Sequence, residues 1–312
     1  MNDSFPSCVC ITGPTACGKT DLALALAEEF PLEIVSMDSA MVFRGMDIGT
    51  AKPSREIMAD VPHHLVDILE PTETYSAGRF VADARDAVER IRARGRLPVL
   101  VGGTLLYLRA FRDGLATLPR ANPAIRRRLD REAELYGWAS LHERLKKVDA
   151  VAASRISPAD RQRIQRALEV YEVTGEPISA LQSREGSAPG TPVRAVALVP
   201  DDRSGLAARI EQRFDAMVSA GFVDEVRALR DRGDLDPAMP SMRSIGYRQI
   251  WSHLDGDCDW PETRRRAIAA TRQFAKRQFT WLRSDSAIRQ VPSDAASARE
   301  FVAGLLKENC GG

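Results

Sequence analysis

The feature that most constrains the fold of this chain is the octapeptide GPTACGKT at residues 13–20. It fits the pattern G-x-x-x-x-G-K-T, in which backbone N–H groups and the start of a helix surround phosphate oxygens. The apolar segment CVCIT precedes it at 8–12, and the helical segment KTDLALALAEEF follows at 19–30. With the apolar segment EIVSMD at 33–38, these residues predict a β-loop-α-β unit with a right-handed crossover.

Further segments continue this alternation. Residues 76–94 predict a helix with Ser76 as N-cap and Gly95 just past its end. The segments PVLVGGT at 98–104 and VRAVALV at 193–199 predict two more buried strands. Apolar strands that alternate with helices indicate a parallel sheet covered on both faces. The predicted fold class is therefore α/β, a P-loop NTPase-like parallel sheet with helices on both faces, plus an all-helical insertion domain.

The insertion is the arginine-rich stretch in which no strand pattern appears. We predict a first part of the P-loop core at 1–117, a helical insertion at 118–182, and the rest of the core with C-terminal basic helices at 183–312. The segment SREGSAPGTP at 183–192 is expected to be a flexible return to the sheet. A long basic helix is expected at 263–283 near the end of the core.

Charge is unevenly distributed in a chain whose formal net charge is only +1. Residues 120–170 and 240–289 each carry a net charge of +5, and the remaining segments are acidic. Two basic blocks in a nearly neutral protein suggest a polyanionic partner. A pair of solvated helical faces explains the same charges equally well.

Composition excludes several other classes of protein. Hydrophobic residues make up 44% and charged residues 28%, as in ordinary globular domains. No apolar run is long enough to span a membrane, and the first residues lack a signal-peptide pattern, so a cytoplasmic location is expected. The five cysteines show no spacing typical of a zinc site. His63 and His64 are expected to lie in a loop without a catalytic role.

Three residues carry the predicted chemistry. Lys19 would reach the distal phosphate, and Thr20 would offer its hydroxyl to a magnesium ion. Asp38 follows the second strand, at the edge where open α/β sheets bind ligands, and could bind magnesium, act as a general base or simply cap a turn. The strand at 98–104 ends in glycines and a threonine rather than an acid, which disfavours ATP hydrolysis and leaves group transfer from a phosphate-bearing donor.

Taken together, these motifs resemble those of the tRNA dimethylallyltransferases, or tRNA isopentenyltransferases, of bacterial type. The matching segments are GPTACGKT, DSAMVFRGMDIGTAKP, LVGGTLLY, RQRIQRALEVYEVTG, RIEQRFDAMVSAGFVDEV, RSIGYRQ and TRQFAKRQFTWLR. The resemblance implies transfer of the dimethylallyl group from dimethylallyl diphosphate to the exocyclic amine of the adenosine 3′-adjacent to the anticodon (position 37), with release of diphosphate. It also implies Mg²⁺ as cofactor and the tRNA anticodon stem-loop as partner. We further expect no membrane association and a monomeric state.

The resemblance further implies roles for individual residues. The catalytic set would be Asp38 as general base with Thr20 and Arg213, and Thr20 would be the metal ligand. The donor diphosphate would be held by Gly13, Pro14, Thr15, Ala16, Cys17, Gly18, Lys19 and Thr20. The tRNA would be contacted by Asp38, Ser39, Ala40, Met41, Thr104, Arg126, Gln162, Arg163, Ile164, Gln165, Arg166, Arg243, Ser244, Ile245, Gly246, Tyr247, Arg248, Lys276, Arg277 and Arg283.

The chain departs from the family pattern at three positions. Cys17 stands where the family usually has serine, and Met41 and Phe43 stand where glutamine and tyrosine are common, so polar contacts from those side chains are not carried over. Two other functions stay open at this point. One is a small-molecule kinase in which Asp38 activates an acceptor hydroxyl and the insertion closes as a lid. The other is a non-catalytic RNA-binding protein that retains the loop.

Overall fold

The computed structural model describes residues 8–184, 190–200 and 202–310. In chain order, the strands of the described residues are β1 Cys8–Thr12, β2 Leu32–Ser36, β3 His63–His64, β4 Leu97–Val101, β5 Val193–Val199 and β6 Ile288–Pro292. All are parallel and form one sheet in the order β3-β2-β4-β1-β5-β6. The predicted parallel α/β sheet is therefore confirmed.

Helices connect the strands and form the region without strands. In chain order they are α1 Lys19–Ala27, α2 Arg55–Asp60, α3 Ala77–Ala93, α4 Leu105–Asp113, α5 Pro123–Val148, α6 Ala150–Arg155, α7 Arg161–Thr174, α8 Ile178–Ser183, α9 Arg203–Ser219, α10 Phe222–Asp231, α11 Tyr247–Leu254, α12 Trp260–Ser284 and α13 Ala295–Cys310. Among the described residues, no helix is both long and apolar enough to cross a membrane.

The chain divides into two compact units. The sheet unit comprises Met1–Arg112 and Thr191–Gly312, and the helical unit comprises Asp113–Gly190. The helical insertion predicted at 118–182 lies within the bounds of the helical unit. Part of the expected flexible return, residues 185–189, lies outside the described residues.

In the sheet unit, apolar residues on alternate positions bury both faces of the sheet. Ile11 in β1 and Val99 in β4 face one side, where α1 and α13 cover them. Cys10 and Leu100 alternate with them and are equally buried, and α3 packs against β2 and β4. Helices therefore cover both faces, and the carboxyl ends of β1, β2 and β4 open at one edge.

Two strands were not predicted. The backbones of His63 and His64 pair with Ile34 and Val35 as strand β3, so the expectation of a loop was wrong. A buried carboxylate helps to fix this edge, because Glu33 in β2 binds His64 Nε2 at 2.7 Å. Strand β6 follows the basic helix predicted at 263–283, in a segment where no strand was predicted, and its backbone pairs with β5. Both strands lie at sheet edges and are defined by their partners.

In the helical unit, α5 and α7 contribute most of the apolar core. Leu129, Leu145, Ile164 and Leu168 are fully buried there. Helix α5 is kinked at Gly137, whose φ of 78° and ψ of 154° are not helical. A glycine adopts this conformation at no steric cost, so the sequence permits a bend in the middle of an otherwise continuous helix.

Candidate active site

A cavity of about 860 Å³ lies in the sheet unit, where the loops after β1, β2 and β4 converge. Its walls include the loop residues from Thr15 to Thr20, Asp38 after β2 and Gly102 after β4. Arg213 from α9 and Gln278 from α12 also line it. Open parallel sheets commonly bind ligands at the carboxyl ends of their strands, and several side chains that line this cavity are polar or charged. The cavity is therefore the candidate active site.

The GPTACGKT loop begins at a position that only glycine can occupy. Gly13 has a φ of 141°, and a Cβ there would lie 2.5 Å from the carbonyl oxygen of Leu198. The loop ends at Gly18, whose φ of 85° is left-handed and which precedes α1 without a side-chain cap. Gly18 thus offers no side-chain acceptor to the first N–H groups of α1, as expected for a helix start that binds an anion.

Lys19 contacts its own loop. Its Nζ donates a hydrogen bond to the carbonyl oxygen of Pro14 at 2.7 Å and lies 3.7 Å from the sulfur of Cys17. Cys17 is buried, so a thiol occupies a packed position beneath the loop. The ammonium is thereby held in the cavity, where its remaining N–H groups could donate to phosphate oxygens.

Asp38 forms a turn and also lines the cavity. Its Oδ1 accepts hydrogen bonds from the backbone N–H groups of Ala40 at 2.8 Å and Met41 at 3.3 Å. Its Oδ2 has no hydrogen bond within the described part of the chain. The turn and the functional interpretation are thus compatible, because one oxygen fixes the side chain and the other stays available to a substrate.

Arg213 brings a second positive charge to the cavity. Burial lowers the pKa of its guanidinium, while the nearby carboxylates of Asp38 and Asp21 raise it. Arginine keeps its charge under these conditions. Arg209 of the same helix also lines the cavity, although the sequence analysis did not predict it. Its Nε donates to the carbonyl oxygen of Ala16 at 3.1 Å. Its spacing of one helical turn from Arg213 was the signal that could have identified it.

The segment after Asp38 is held by two charged residues. The buried Lys52 Nζ donates to the carbonyl of Phe43 at 2.9 Å and pairs with Asp47 and Asp67, each at 2.5 Å. Glu225 in α10 accepts from backbone N–H groups of the DIGT segment at 47–50. Because Thr50, Ala51 and Lys52 line the cavity, these contacts shape its wall.

The residues fit a magnesium ion bound together with a diphosphate. No group of three or more His, Cys, Asp or Glu residues suited to hold a metal occurs among the described residues. Mg²⁺ needs no such cluster, since it keeps several waters and is usually held by one or two protein oxygens and substrate phosphates. The Thr20 hydroxyl lines the cavity and is an oxygen ligand of this kind.

The predicted tRNA contacts of the sheet unit fall into two groups. Those near the cavity are Ser39, Ala40, Met41 and Thr104, which are exposed or half-buried. The cations away from the cavity are exposed, namely Arg243 in the turn before α11, Arg248 in α11, and Lys276, Arg277 and Arg283 in α12. Within the described residues, Lys276, Arg277 and Arg283 have no acidic partner, whereas Arg272 on the same helix pairs with Glu211. The first three are therefore the cations of α12 best able to bind phosphates.

One predicted contact in this unit needs correction. Tyr247 is fully buried, and its hydroxyl donates to Glu225 at 2.6 Å. The backbone before it, at Gly246, is buried as well, while Ser244 and Ile245 are half-buried. The Tyr247 side chain thus supports the segment at 47–50 through Glu225 and is not presented to an RNA.

In the helical unit, several predicted contacts serve the fold. Glu169 in α7 is fully buried, and Arg126 binds it with Nε at 2.8 Å and Nη2 at 3.0 Å. Arg166 binds the same carboxylate at 2.6 Å, so both arginines neutralise a buried charge. Burial alone would raise the pKa of Glu169, but the hydrogen bonds from these arginines lower it below its usual value. The Ile164 side chain lies in the core and cannot contact RNA.

The remaining predicted contacts of this unit are more accessible. Gln162 and Arg163 are exposed at the start of α7. Gln165 is half-buried and donates to Asp130 at 2.6 Å. Arg163 lies 3.4 Å from Asp160, an exposed pair that leaves the guanidinium accessible to a phosphate.

Comparison with known proteins places this chain in a family. The sequence model of the family IPP transferase matches residues 41–285. The tRNA dimethylallyltransferase of Ralstonia nicotianae is 54% identical over 309 residues, covering 97% of this chain and 96% of that protein. The tRNA dimethylallyltransferase of Alkalilimnicola ehrlichii is 56% identical over 283 residues, covering 91% and 89%. The GPTACGKT loop precedes the match to the family model, but an alignment over 97% of the chain must include it.

Solved structures of similar proteins support the same family assignment. The crystal structure of full-length tRNA isopentenylpyrophosphate transferase from Bacillus halodurans is similar with a TM-score of 0.67 and 38% identity, covering 96% of both chains. A eukaryotic dimethylallyltransferase acting on tRNA is similar with a TM-score of 0.78 and 25% identity, covering 97% of this chain and 79% of the other. On these matches, this chain belongs to the IPP transferase family, together with its relatives named tRNA dimethylallyltransferases.

Proposed function

We propose that this chain transfers the dimethylallyl group of dimethylallyl diphosphate to the exocyclic amine of the adenosine 3′-adjacent to the anticodon of tRNA, releasing diphosphate. The observation that carries the proposal is that one cavity contains the GPTACGKT loop, Arg213 and Asp38. Anion-binding groups and a carboxylate therefore face the same space. The names of the relatives, which identify the reaction of those proteins, support this choice of donor and acceptor.

At the donor end, the protein stabilises the leaving diphosphate. As the bond between carbon and the bridging oxygen breaks, its electron pair stays with the diphosphate, and negative charge grows on that oxygen. Lys19, which the loop holds through the Pro14 carbonyl, and Arg213 are the cations placed to meet this charge. The Thr20 hydroxyl would hold Mg²⁺, which when bound neutralises part of the diphosphate charge. Fixed charges at this point lower the barrier because they do not need to reorganise.

At the acceptor end, Asp38 takes up a proton. The lone pair of the adenine amine forms the new bond to the dimethylallyl carbon, and the amine proton passes to the free Oδ2 of Asp38. Two backbone N–H groups bind Oδ1 and fix the orientation of the carboxylate. A base held in this way meets the geometric requirement for general-base catalysis.

The acceptor adenine must leave its stacked position to reach such a cavity. Phosphates of the tRNA anticodon stem-loop would be bound by the exposed cations Lys276, Arg277 and Arg283 of α12, and by Arg163 in the helical unit. A polyanionic acceptor accounts for the two basic blocks of an otherwise nearly neutral chain.

We further propose that the enzyme acts in the cytoplasm as a monomer.

The test is incubation of the protein with unmodified tRNA, Mg²⁺ and isotopically labelled dimethylallyl diphosphate, followed by nucleoside analysis. The expected product is one labelled adenosine per tRNA. Lys19→Ala should abolish labelling, whereas Lys307→Ala, an exposed cation of α13, is the matched control and should not change it. Absence of labelled adenosine with folded wild-type protein would contradict the proposal.

A further inference from the structure

Gln278 joins two loops at the carboxyl edge of the sheet. It lies in α12, and its side chain is buried, with 4% of the residue exposed. Its Oε1 accepts a hydrogen bond from the backbone N–H of Thr15 at 2.9 Å, and its Nε2 donates to the carbonyl oxygen of Gly103 at 2.9 Å. One amide therefore connects the GPTACGKT loop after β1 to the glycine turn after β4.

The peptide group between Pro14 and Thr15 is held on both sides. Its carbonyl oxygen accepts the hydrogen bond of Lys19 Nζ, and its N–H donates to Gln278. The next residue, Ala16, has a φ of 60°, a left-handed conformation that residues with a Cβ rarely adopt. Such a conformation persists only where tertiary contacts fix the surrounding backbone. Gln278 supplies one of these contacts at the peptide that also positions the lysine.

The contact on the other side is equally specific. A Cβ at Gly103 would lie 2.4 Å from Gln278 Nε2, so the amide approaches as closely as a glycine allows. Thr104, the next residue, is the one that the family resemblance places near the acceptor nucleotide. The same helix presents Lys276 and Arg277 on its exposed side. Gln278 thus lies where the donor loop, the acceptor turn and the basic helix meet.

We infer that Gln278 is a positioning residue that holds the Pro14–Thr15 peptide, and through it Lys19, in the place where the donor diphosphate binds. The inference rests on the proposed function for the identity of that ligand. Gln278 acts through the loop and through Gly103. Its loss should therefore weaken diphosphate binding in the absence of tRNA, and should slow transfer further because donor and acceptor lose their relative position.

The test uses Gln278→Met, which keeps the length and apolar volume of the side chain but removes both hydrogen bonds. Binding of magnesium pyrophosphate to the full chain, measured by calorimetry without tRNA, should weaken by roughly 5- to 30-fold, the factor expected for one or two neutral hydrogen bonds. In turnover assays, kcat should fall together with a rise in KM for dimethylallyl diphosphate. Affinity for tRNA should stay within roughly twofold, because Lys276 and Arg277 remain on the surface.

The matched control is Gln249→Met. Gln249 is also buried, and its Oε1 accepts a backbone N–H bond from Gly246 at 2.8 Å, but it does not line the cavity. This variant should lose stability without losing pyrophosphate affinity. Unchanged pyrophosphate affinity in Gln278→Met would overturn the inference, and a wild-type protein that binds no pyrophosphate would overturn the proposed function and this inference with it.

Hydrogen exchange on the wild-type protein tests the inference without any variant. The Thr15 amide, bonded to Gln278, should exchange slowly both with and without magnesium pyrophosphate. The amides at Gly18 and Lys19 should gain protection only when pyrophosphate is added. A Thr15 amide that exchanges at the rate of an unprotected amide in the free protein would overturn the inference, whatever the stability of the Gln278 variants.

Discussion

Substitution of Asp38 separates its two structural roles. In Asp38→Asn, the amide oxygen can replace Oδ1 and still accept from the N–H groups of Ala40 and Met41. The amide nitrogen then stands in place of Oδ2 and cannot accept a proton. Asp38→Ala removes the turn contacts and the base together. Comparison of the two variants therefore distinguishes a catalytic effect from a structural one.

The magnitudes follow from these contacts. In Asp38→Asn, two charge-assisted hydrogen bonds become neutral ones, which lowers the free energy of unfolding by roughly 1–2 kcal/mol. In Asp38→Ala both are lost, and the expected cost rises to roughly 2–4 kcal/mol. Loss of the general base should slow transfer by roughly 10²–10⁴-fold in both variants. Catalysis should therefore fall equally while stability does not.

The assay is the single-turnover rate of dimethylallyl transfer with saturating tRNA and donor, combined with urea unfolding and tRNA binding. We expect both variants to bind tRNA like the wild type. A rate for Asp38→Asn within roughly tenfold of wild type would refute the general-base role. A slow Asp38→Ala beside a fast Asp38→Asn would instead assign the residue to the turn alone.

Three further predictions concern the surroundings of the site. The double variant Lys276→Ala, Arg277→Ala should lower the slope of log affinity for tRNA against log salt by about 1–2, and an unchanged slope would remove α12 from the RNA interface. Because the pKa of Glu169 is lowered in the fold, its stabilising contribution is present above the usual glutamate pKa and lost as the pH falls through the lowered value. Urea unfolding of Glu169→Gln should therefore differ most from wild type near neutral pH and converge in acid; a constant difference would contradict this. Glu225→Gln should lower the free energy of unfolding by roughly 2–4 kcal/mol, since an N–H donor would face backbone donors, and a change under roughly 0.5 kcal/mol would refute the role of this carboxylate.

Much of the fold follows from local sequence. The strands at Cys8–Thr12 and Val193–Val199 have the predicted bounds, because each is a continuous apolar run with clear ends. Helix α3 begins after Ser76, whose Oγ accepts from the N–H of Arg79 at 3.1 Å, as the capping pattern predicts. Strands β3 and β6 were missed because they have no apolar run of their own, and pairing with a neighbouring strand defines them.

Some residues of the candidate site could likewise be predicted from local sequence, and others could not. The GPTACGKT loop and Asp38 could be predicted because their chemistry depends on neighbours in the chain. Gln278 and Glu225 could not, because Gln278 binds backbone groups 263 and 175 residues away, and Glu225 accepts from backbone N–H groups 176–178 residues away. Only the packed fold brings these groups together. Arg126 stays a predicted RNA contact, and its ion pair with Glu169, a residue 43 positions later, was not predicted. The sequence alone does not show which acidic side chain an arginine contacts in the fold.

The central claim is that GPTACGKT binds a diphosphate that becomes the leaving group. The most direct measurement supplies dimethylallyl diphosphate or ATP separately, with tRNA and Mg²⁺, and follows the phosphate species released. We expect tRNA-dependent release of pyrophosphate from the isoprenoid donor, in equal amount to the modified adenosine, and no tRNA-dependent cleavage of ATP. Release of ADP or inorganic phosphate from ATP on addition of tRNA, with no pyrophosphate from the isoprenoid donor, would contradict the claim.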